Sequence, residues 1–290
     1  MKKPALVELR GRSADWVTAE RGLSNVPKNV RSLVVDRKIV GTLEPLTKLT
    51  GMRQLFVQGV RKQDMPILGS LRQLRSLLIW RLDATDLHEI RALDSLRDFG
   101  VYHAPKLETL KGIEHWKLLK NFFLHNTPRL RSVAHMETLP SVQEIVIQNG
   151  WSASKLIKVK SFRPLSSLLT LKRLDLRGVE ATDESLDSLS GLKSLRHFFP
   201  GTYGADVEKL AFLAAKLNPQ LVRDDRISHI KEHDSDSFIC KKCRSKQHQL
   251  IGRSGSRYRP FACPNCDSDL IQSRLEIFLN AKGRNKTKER

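Results

Sequence analysis

Cysteine, tyrosine and acidic side chains are scarce in this chain of 290 residues, and long apolar runs are missing altogether. The four cysteines all lie between residues 240 and 266, which excludes a disulfide-stapled scaffold throughout the rest of the chain. No apolar stretch reaches the roughly 18 residues that a membrane-spanning helix needs, so no membrane partner is expected. The amino terminus, Met1-Lys2-Lys3-Pro4, lacks the apolar core of a secretory signal, and a cytoplasmic location is expected. With 31 Asp and Glu against 51 Lys and Arg, the formal net charge is +20, which suits an acidic or polyanionic partner. Catalytic signatures are missing as well: there is no glycine-rich phosphate loop, no Gly-x-Ser-x-Gly turn and no metal-ligand set with an open position. A non-enzymatic protein is expected, with no small-molecule substrate.

What the chain has instead is a period. The pattern Leu/Val-x-x-Leu-x-Leu/Val recurs as Val30-Leu33-Val35, Met52-Leu55-Val57, Leu74-Leu77-Ile79, Leu96-Phe99-Val101, Leu119-Phe122-Leu124, Val142-Ile145-Ile147 and Leu171-Leu174-Leu176. Measured at the middle residue, successive copies lie 22, 22, 22, 23, 23 and 29 residues apart, and a degraded eighth copy reads Leu192-Leu195. The alternation within each motif puts apolar residues on one side of a strand. Second apolar sets, such as Ile67-Leu71, Ile90-Leu93, Leu107-Leu110-Ile113 and Leu186-Leu189, supply the segment that returns the chain. A single coil of this kind has nothing opposite against which to bury its apolar face, so neighbours must stack.

The pattern resembles the leucine-rich repeat superfamily in its short class of about 22 residues, over roughly residues 26–199. The resemblance implies an α/β solenoid whose concave face is a parallel sheet, and a role in protein recognition. Where Asn or Cys often follows the strand, this chain has Val60, Leu82, Ala104, Thr127, Gly150 and Val179, so no asparagine ladder is expected.

Residues 1–29, with Leu6, Val7, Leu9, Trp16 and Val17, are expected to cap the first coil. The solenoid should then run over 30–222 and end in an amphipathic capping helix from Asp206 to Leu217. Residues 223–237 read as a polar linker, 238–280 as a zinc-ribbon-like β domain, and 281–290 as a disordered basic tail. The long interval between Ile145 and Leu174 holds an insertion around Trp151 to Lys160, which should project from the rim and offer Trp151 to a partner.

Residues that alternate with the motif face away from the core. Among them Phe56, Leu78, Trp80, Tyr102 and Phe123, with His125 beside them, form a contiguous patch that is the expected site for a protein partner. In the last repeats Arg173, Arg177 and Arg196 replace the aromatics and are expected to make a basic end.

Cys240-x-x-Cys243 and Cys263-x-x-Cys266 are separated by 19 residues, and two such pairs can wrap one ion tetrahedrally. One structural zinc per chain is expected, with iron the other ion such ligands hold; four thiolates leave no position for a reactive water. Phe238 and Phe261 each precede a pair by two residues, so two similar hairpins could stack their rings below the metal, a pattern resembling a zinc ribbon. Arg244 and Asp267 stand where such knuckles usually carry Gly. Lys241, Lys242, Arg244, Lys246, Arg253, Arg257 and Arg259, with Tyr258 among them, combine phosphate contact with base stacking. Two functions therefore stand: a protein-binding adaptor gripping its partner by the concave face with the zinc module as second contact, and a nucleic-acid-binding protein using the basic ribbon and tail.

Overall fold

The computed structural model describes residues 16–149, 156–183, 185–199, 206–217, 230–232, 238–250 and 261–286. The repeat motif becomes strands wherever alternating side chains find a neighbouring coil: β1 (Val17–Thr18), β2 (Ser32–Asp36), β3 (Gln54–Arg61), β4 (Ser76–Asp83), β5 (Asp98–Tyr102), β6 (Asn121–His125) and β7 (Glu144–Gln148). After β8 (Ile157–Val159) come β9 (Arg173–Asp175), β10 (Val179–Ala181) and β11 (His197–Phe199). Nine of these form one parallel sheet in the order β1-β2-β3-β4-β5-β6-β7-β9-β11. The sheet is the concave layer of a curved solenoid with leucine-rich repeat architecture. The connections between strands are short returning segments, mostly single 3₁₀ turns such as His88–Ile90, Ile113–His115 and Met136–Thr138, with a one-turn helix at Arg37–Val40 and a longer one, α1 (Met65–Ser70).

Register follows the motif. Leu33, Leu55, Leu77, Phe99, Phe122, Ile145 and Leu174 pair across successive strands, and each is 1% exposed or less. The returning residues Leu71, Leu93, Leu110, Ile113 and Leu139 meet them to make one continuous core along the solenoid. Trp116 lies wholly inside this core, where its indole donates to the Ile90 carbonyl at 3.3 Å and so satisfies its one polar group. Each strand from β3 to β6 also ends or bends at a left-handed residue, namely Gly59, Arg81, His103 and Asn126, and Gly178 repeats this beyond β9. The residue after each turn faces inward: Val60, Leu82, Ala104, Thr127 and Val179 are all buried, in place of an asparagine ladder.

Several expectations need correction. The eighth coil pairs through Phe198 opposite Leu174, so Leu195 takes the place of Leu171 and the final interval is three residues longer than the sequence pattern suggested. Stacking on β9 selects this register because it lets Leu192, Leu195 and Phe198 all enter the core, leaving Arg196 exposed ahead of the strand. The latter half of the insertion does not project: Ile157 and Val159 are fully buried, and β8 pairs with β10 in a second, two-stranded sheet. Trp151 lies outside the described residues. The linker over 223–237 contains a strand, β12 (Ile230–Glu232), which pairs antiparallel with β13 (His248–Leu250), itself paired with β14 (Phe261–Ala262). Finally, the expected disordered tail is helical as far as Lys286, within a helix that starts at Ser268.

The C-terminal end of the solenoid is covered by helices. Asp206 caps the amphipathic helix α2 (Val207–Lys216) by accepting from the Glu208 amide at 3.0 Å, and Val207, Leu210, Ala211 and Leu213 bury its inner face. Helix α3 (Ser268–Lys286) packs against α2, with Ile277 against the solenoid core. Arg274 is 3% exposed; burial lowers its pKa, and the nearby Glu208 and Asp206 carboxylates oppose that shift. At the other end Trp16 does not cover the core of the first coil as expected. It packs instead with Val34, Phe56, Leu78 and Trp80 on the concave side. Leu6, Val7 and Leu9 lie outside the described residues.

Close approach between coils imposes sharp requirements at Gly69, where a Cβ would sit 2.2 Å from the Glu89 carbonyl oxygen, and at Gly112. Gly112 has a φ of +114°, and a Cβ there would sit 2.4 Å from the Leu87 carbonyl oxygen. Gly112→Ala is expected to destabilise the protein by about 2–3 kcal/mol through strain and overpacking together. Gly191→Ala, where a Cβ meets open space, should change stability by less than about 0.5 kcal/mol. Urea melts of the two variants read the difference, and equal midpoints would show that coils can separate to admit a methyl group.

Candidate binding surface and cysteine cluster

The concave side chains follow the strand register. Gln58, Trp80, Tyr102, His125 and Gln148 are consecutive partners on β3 to β7, so five coils present one row. Parallel strands about 4.8 Å apart hold planar rings near stacking distance. Trp80 and Tyr102 stack at 4.5 Å between centroids and 3° between planes, and Tyr102 and His125 at 4.2 Å and 13°. Phe123 flanks the column 6.0 Å from Tyr102 and 6.4 Å from His125. Each of these four residues is half-buried.

Phe56 and Leu78, expected to be exposed members of the patch, are 6% and 4% exposed. Trp16, Val34 and Trp80 close over them, so they form the floor of the surface rather than its contact layer. Trp16 was not assigned to this face from the sequence because β1 belongs to a coil without the repeat motif. The signal available was its parity: Thr18 pairs with the outward Val34, and Trp16 is two residues before Thr18.

At the far end of the row the chemistry turns ionic. Asp175 is fully buried and accepts from Gln148 Nε2 at 2.7 Å and from Arg177 Nη2 at 2.7 Å and Nε at 3.0 Å. Arg177 also lies over the Phe199 ring, 5.1 Å from its centroid. Arg177 is therefore committed to a buried carboxylate, and with Arg196 outside the strand the expected basic end does not form from Arg173, Arg177 and Arg196. The network is structural: it satisfies a carboxylate whose burial alone would cost several kcal/mol.

The four cysteines converge. Their sulfurs all lie within 4.8 Å of one another, with Cys240 Sγ to Cys266 Sγ at 3.8 Å and Cys243 Sγ to Cys263 Sγ at 3.2 Å, and all four are free thiols. Four sulfurs each about 2.3 Å from a shared ion would stand about 3.8 Å apart at tetrahedral corners, so the cage has the right size. Two matching turns hold it. In one, the Arg244 amide donates to the Cys240 carbonyl and the Cys240 amide to Ser245; in the other, the Asp267 amide donates to the Cys263 carbonyl. Arg244 adopts φ +62° in the place where glycine is usual, while the Asp267 carboxylate accepts from the Cys263 amide at 2.9 Å. The Phe238 and Phe261 rings stack beneath at 4.3 Å, as the symmetric spacing predicts.

Ionisation of these thiols is strongly uneven. Hydrogen bonds from Ser245, its side chain foremost, pull Cys243 down to about 6, whereas the contact with Cys243, then burial, pushes Cys266 up to about 12. Cys240 is lowered as well and Cys263 raised, so the four thiols do not ionise together, and a bound cation would favour the four thiolates at once. Lys241, Lys242, Arg244 and Lys246 are exposed around the first knuckle. Arg253, Arg257, Tyr258 and Arg259 lie outside the described residues.

No family model and no curated protein matches the sequence. Among solved structures, an internalin of Listeria monocytogenes is similar over 60% of this chain and 62% of its own, with 18% identity and a TM-score of 0.39. The plant peptide hormone receptor RGFR1, in complex with RGF2, is similar over 65% of this chain and 34% of its own, at 14% identity and a TM-score of 0.35. A leucine-rich repeat protein of Leptospira interrogans is similar over 66% of each chain, at 16% identity and a TM-score of 0.28. The chain spans less than two thirds of each of these proteins. Its solenoid architecture is assigned from its own parallel sheet. No helix among the described residues is long and apolar enough to cross a membrane.

The aromatic column is expected to make stability sensitive to acid. Burial above all, then the nearby Arg177 and His103, lowers the His125 pKa from its ordinary 6.5, and its Nδ1 is buried without a hydrogen-bond partner. A histidine that resists protonation when folded binds fewer protons than its unfolded counterpart, so stability should be full above pH 6.5 and fall on acidification below it. His125→Phe is expected to flatten the pH dependence of the melting temperature between pH 7 and 5. An identical slope in wild type and variant would place the titration elsewhere.

Proposed function

We propose that this protein is a non-enzymatic adaptor that grips a protein partner with the concave row of Trp80, Tyr102, Phe123 and His125. The observation that supports this most directly is the stacked column itself. Its rings spend their faces on one another, which leaves their edges for a partner and no free face on Tyr102 for a base. Gln58 and Gln148 flank the column with amide groups, giving an apolar strip with polar ends suited to protein side chains and main chain. The buried floor of Phe56 and Leu78 holds Trp80 rigid, so little side-chain freedom remains to be lost on binding.

The four-cysteine cluster is assigned a structural zinc in a zinc-ribbon-like module, with Cys240, Cys243, Cys263 and Cys266 as ligands. The ion would supply folding free energy to a small β domain, on the order of 10 kcal/mol. The module serves as the second contact. A second reading, nucleic-acid binding through this module, draws on the exposed Lys241, Lys242, Arg244 and Lys246.

Affinity purification from host lysate, with and without nuclease, compares wild type with Trp80→Ala and Tyr102→Ala. The adaptor reading expects a partner that survives nuclease and binds Trp80→Ala at least about 30-fold more weakly, the hot-spot range of about 2 kcal/mol. Since Trp80 also leans on Phe56 and Leu78, melting temperatures are compared in parallel, and Tyr102→Ala provides a second test away from that cluster. Partner capture unchanged in both folded variants would place the interface elsewhere. For the metal, elemental analysis should find one zinc per chain, released by Cys263→Ser; a variant that retains its full metal content would defeat the assignment.

A further inference from the structure

Two residues before each core-facing anchor of the sheet, the chain carries a basic side chain in nearly every coil. Arg31, Arg53, Arg75, Arg97 and Lys120 occupy this position in five consecutive coils; Gln143 interrupts once, and Lys172 and Arg196 resume the row. The structure brings these residues into register. The amide of each donates to the carbonyl of the one before: Arg53 to Arg31, Arg75 to Arg53, Arg97 to Arg75, Lys120 to Arg97, and so on to Arg196 on Lys172, at 2.7–2.9 Å. Seven positive charges thus stand along the edge where the strands of the concave sheet begin, at the strand repeat of about 4.8 Å and over roughly 30 Å. All but Arg53 are exposed, and none makes an ion pair among the described residues. The next position along the strand adds only two acids, Asp98, already accepting from Asn121, and Glu144.

Like charges at this spacing repel, and stacking enforces the spacing whatever the charges prefer. An anion that runs along the row relieves that repulsion. We propose that this basic edge of the solenoid binds the phosphate backbone of single-stranded nucleic acid. The spacing selects the ligand. Phosphates of one strand recur every ~3.4 Å when the bases stack and lie further apart when they unstack, so a flexible strand can come into step with the ladder. An extended acidic peptide presents side chains on one face only every ~6.7 Å and falls out of step within two coils. Arginine predominates, and its forked donors suit phosphate oxygens. The main-chain groups at this position bond between coils, leaving side chains, all charged except Gln143, as the donors, so binding is independent of base sequence. This edge is separate from the aromatic column and from the zinc module, and it stands whether or not the protein-partner reading holds.

The test uses the full-length protein and a fluorescent 30-nucleotide oligo(dT), with affinity measured against salt concentration. A ladder variant changes Arg31, Arg75, Arg97 and Lys120 to Gln; Arg53 is spared because its guanidinium also caps the Thr50 and Met52 carbonyls. A control removes the same charge from exposed Lys38, Lys48, Lys62 and Lys111, and a knuckle variant changes Lys241, Lys242 and Arg244 to Gln. The ladder variant should bind at least about tenfold more weakly at low salt, and its log–log salt slope should be shallower by about 3, near 0.7 for each lost phosphate contact. The control should bind like wild type, and restoring charge with Lys at the three arginine positions should restore affinity. Melting temperatures verify that each variant is folded. The proposal is overturned if the ladder and control variants behave alike, if only the knuckle variant loses binding, if wild type does not bind, or if polyglutamate competes as effectively per charge as unlabelled oligo(dT).

Discussion

Everything in this molecule depends on coils being unable to stand alone. One turn of the solenoid has an apolar strand face and an apolar returning segment but no further layer, so it gains a core only by hydrogen-bonding to its neighbours in register. The ladder that runs from β1 through β7, β9 and β11 is therefore both the scaffold and the source of every surface property. It puts Leu33, Leu55 and Leu77 behind one another inside, and for the same reason puts Trp80, Tyr102 and His125 behind one another outside. A stacked aromatic column and a line of like charges are both unfavourable to assemble from a mobile chain, since each demands ordered side chains. On this sheet the order has already been imposed by the core, so the two rows add little entropic cost of their own.

The repeated part of the fold was legible because each motif residue has one physical duty and meets it in almost every coil. The anchors from Leu33 to Leu174 are core residues, as their spacing required. Legibility failed where two registers were both apolar. Leu189, Leu192, Leu195 and Phe198 are spaced by three, and all four are buried, so the motif alone could not show which of them begins the strand; pairing with β9 decides it. The alternation of Ile157, Lys158 and Val159 was a visible strand signal within the insertion, but its partner β10 is a coil away and nothing local identifies it. The charged composition of the last ten residues pointed to disorder, yet helix α3 includes the residues up to Lys286 in a single run from Ser268, packed on α2.

The candidate sites divide along the same line. The cysteine cage was fully readable, since ligand type and spacing carry the chemistry, and the matched Phe238 and Phe261 pair proved as informative as the cysteines. The aromatic row was readable in membership but not in depth. Sequence parity assigns Phe56 and Leu78 to the outer face correctly; only the structure reveals that Trp16 folds across them. Arg177 illustrates the converse problem: a basic residue at an outward position is taken out of circulation by Asp175, a buried carboxylate whose partner no spacing rule identifies.

The covered C-terminal end of the solenoid has a consequence for how chains of this kind meet. Among the described residues the parallel sheet ends at β11, and the end of a stacked sheet with an apolar core is in general a surface on which a further coil, including one from another molecule, can add. Such head-to-tail addition has no geometry that closes it, so it leads to filaments rather than to a defined oligomer. Helix α2, backed by α3 with Arg274 buried near Glu208, stands in the way of that addition. The C-terminal helix thus has a second consequence: packed on α2, with Ile277 against the solenoid core, α3 stands over the end at which a further coil would add.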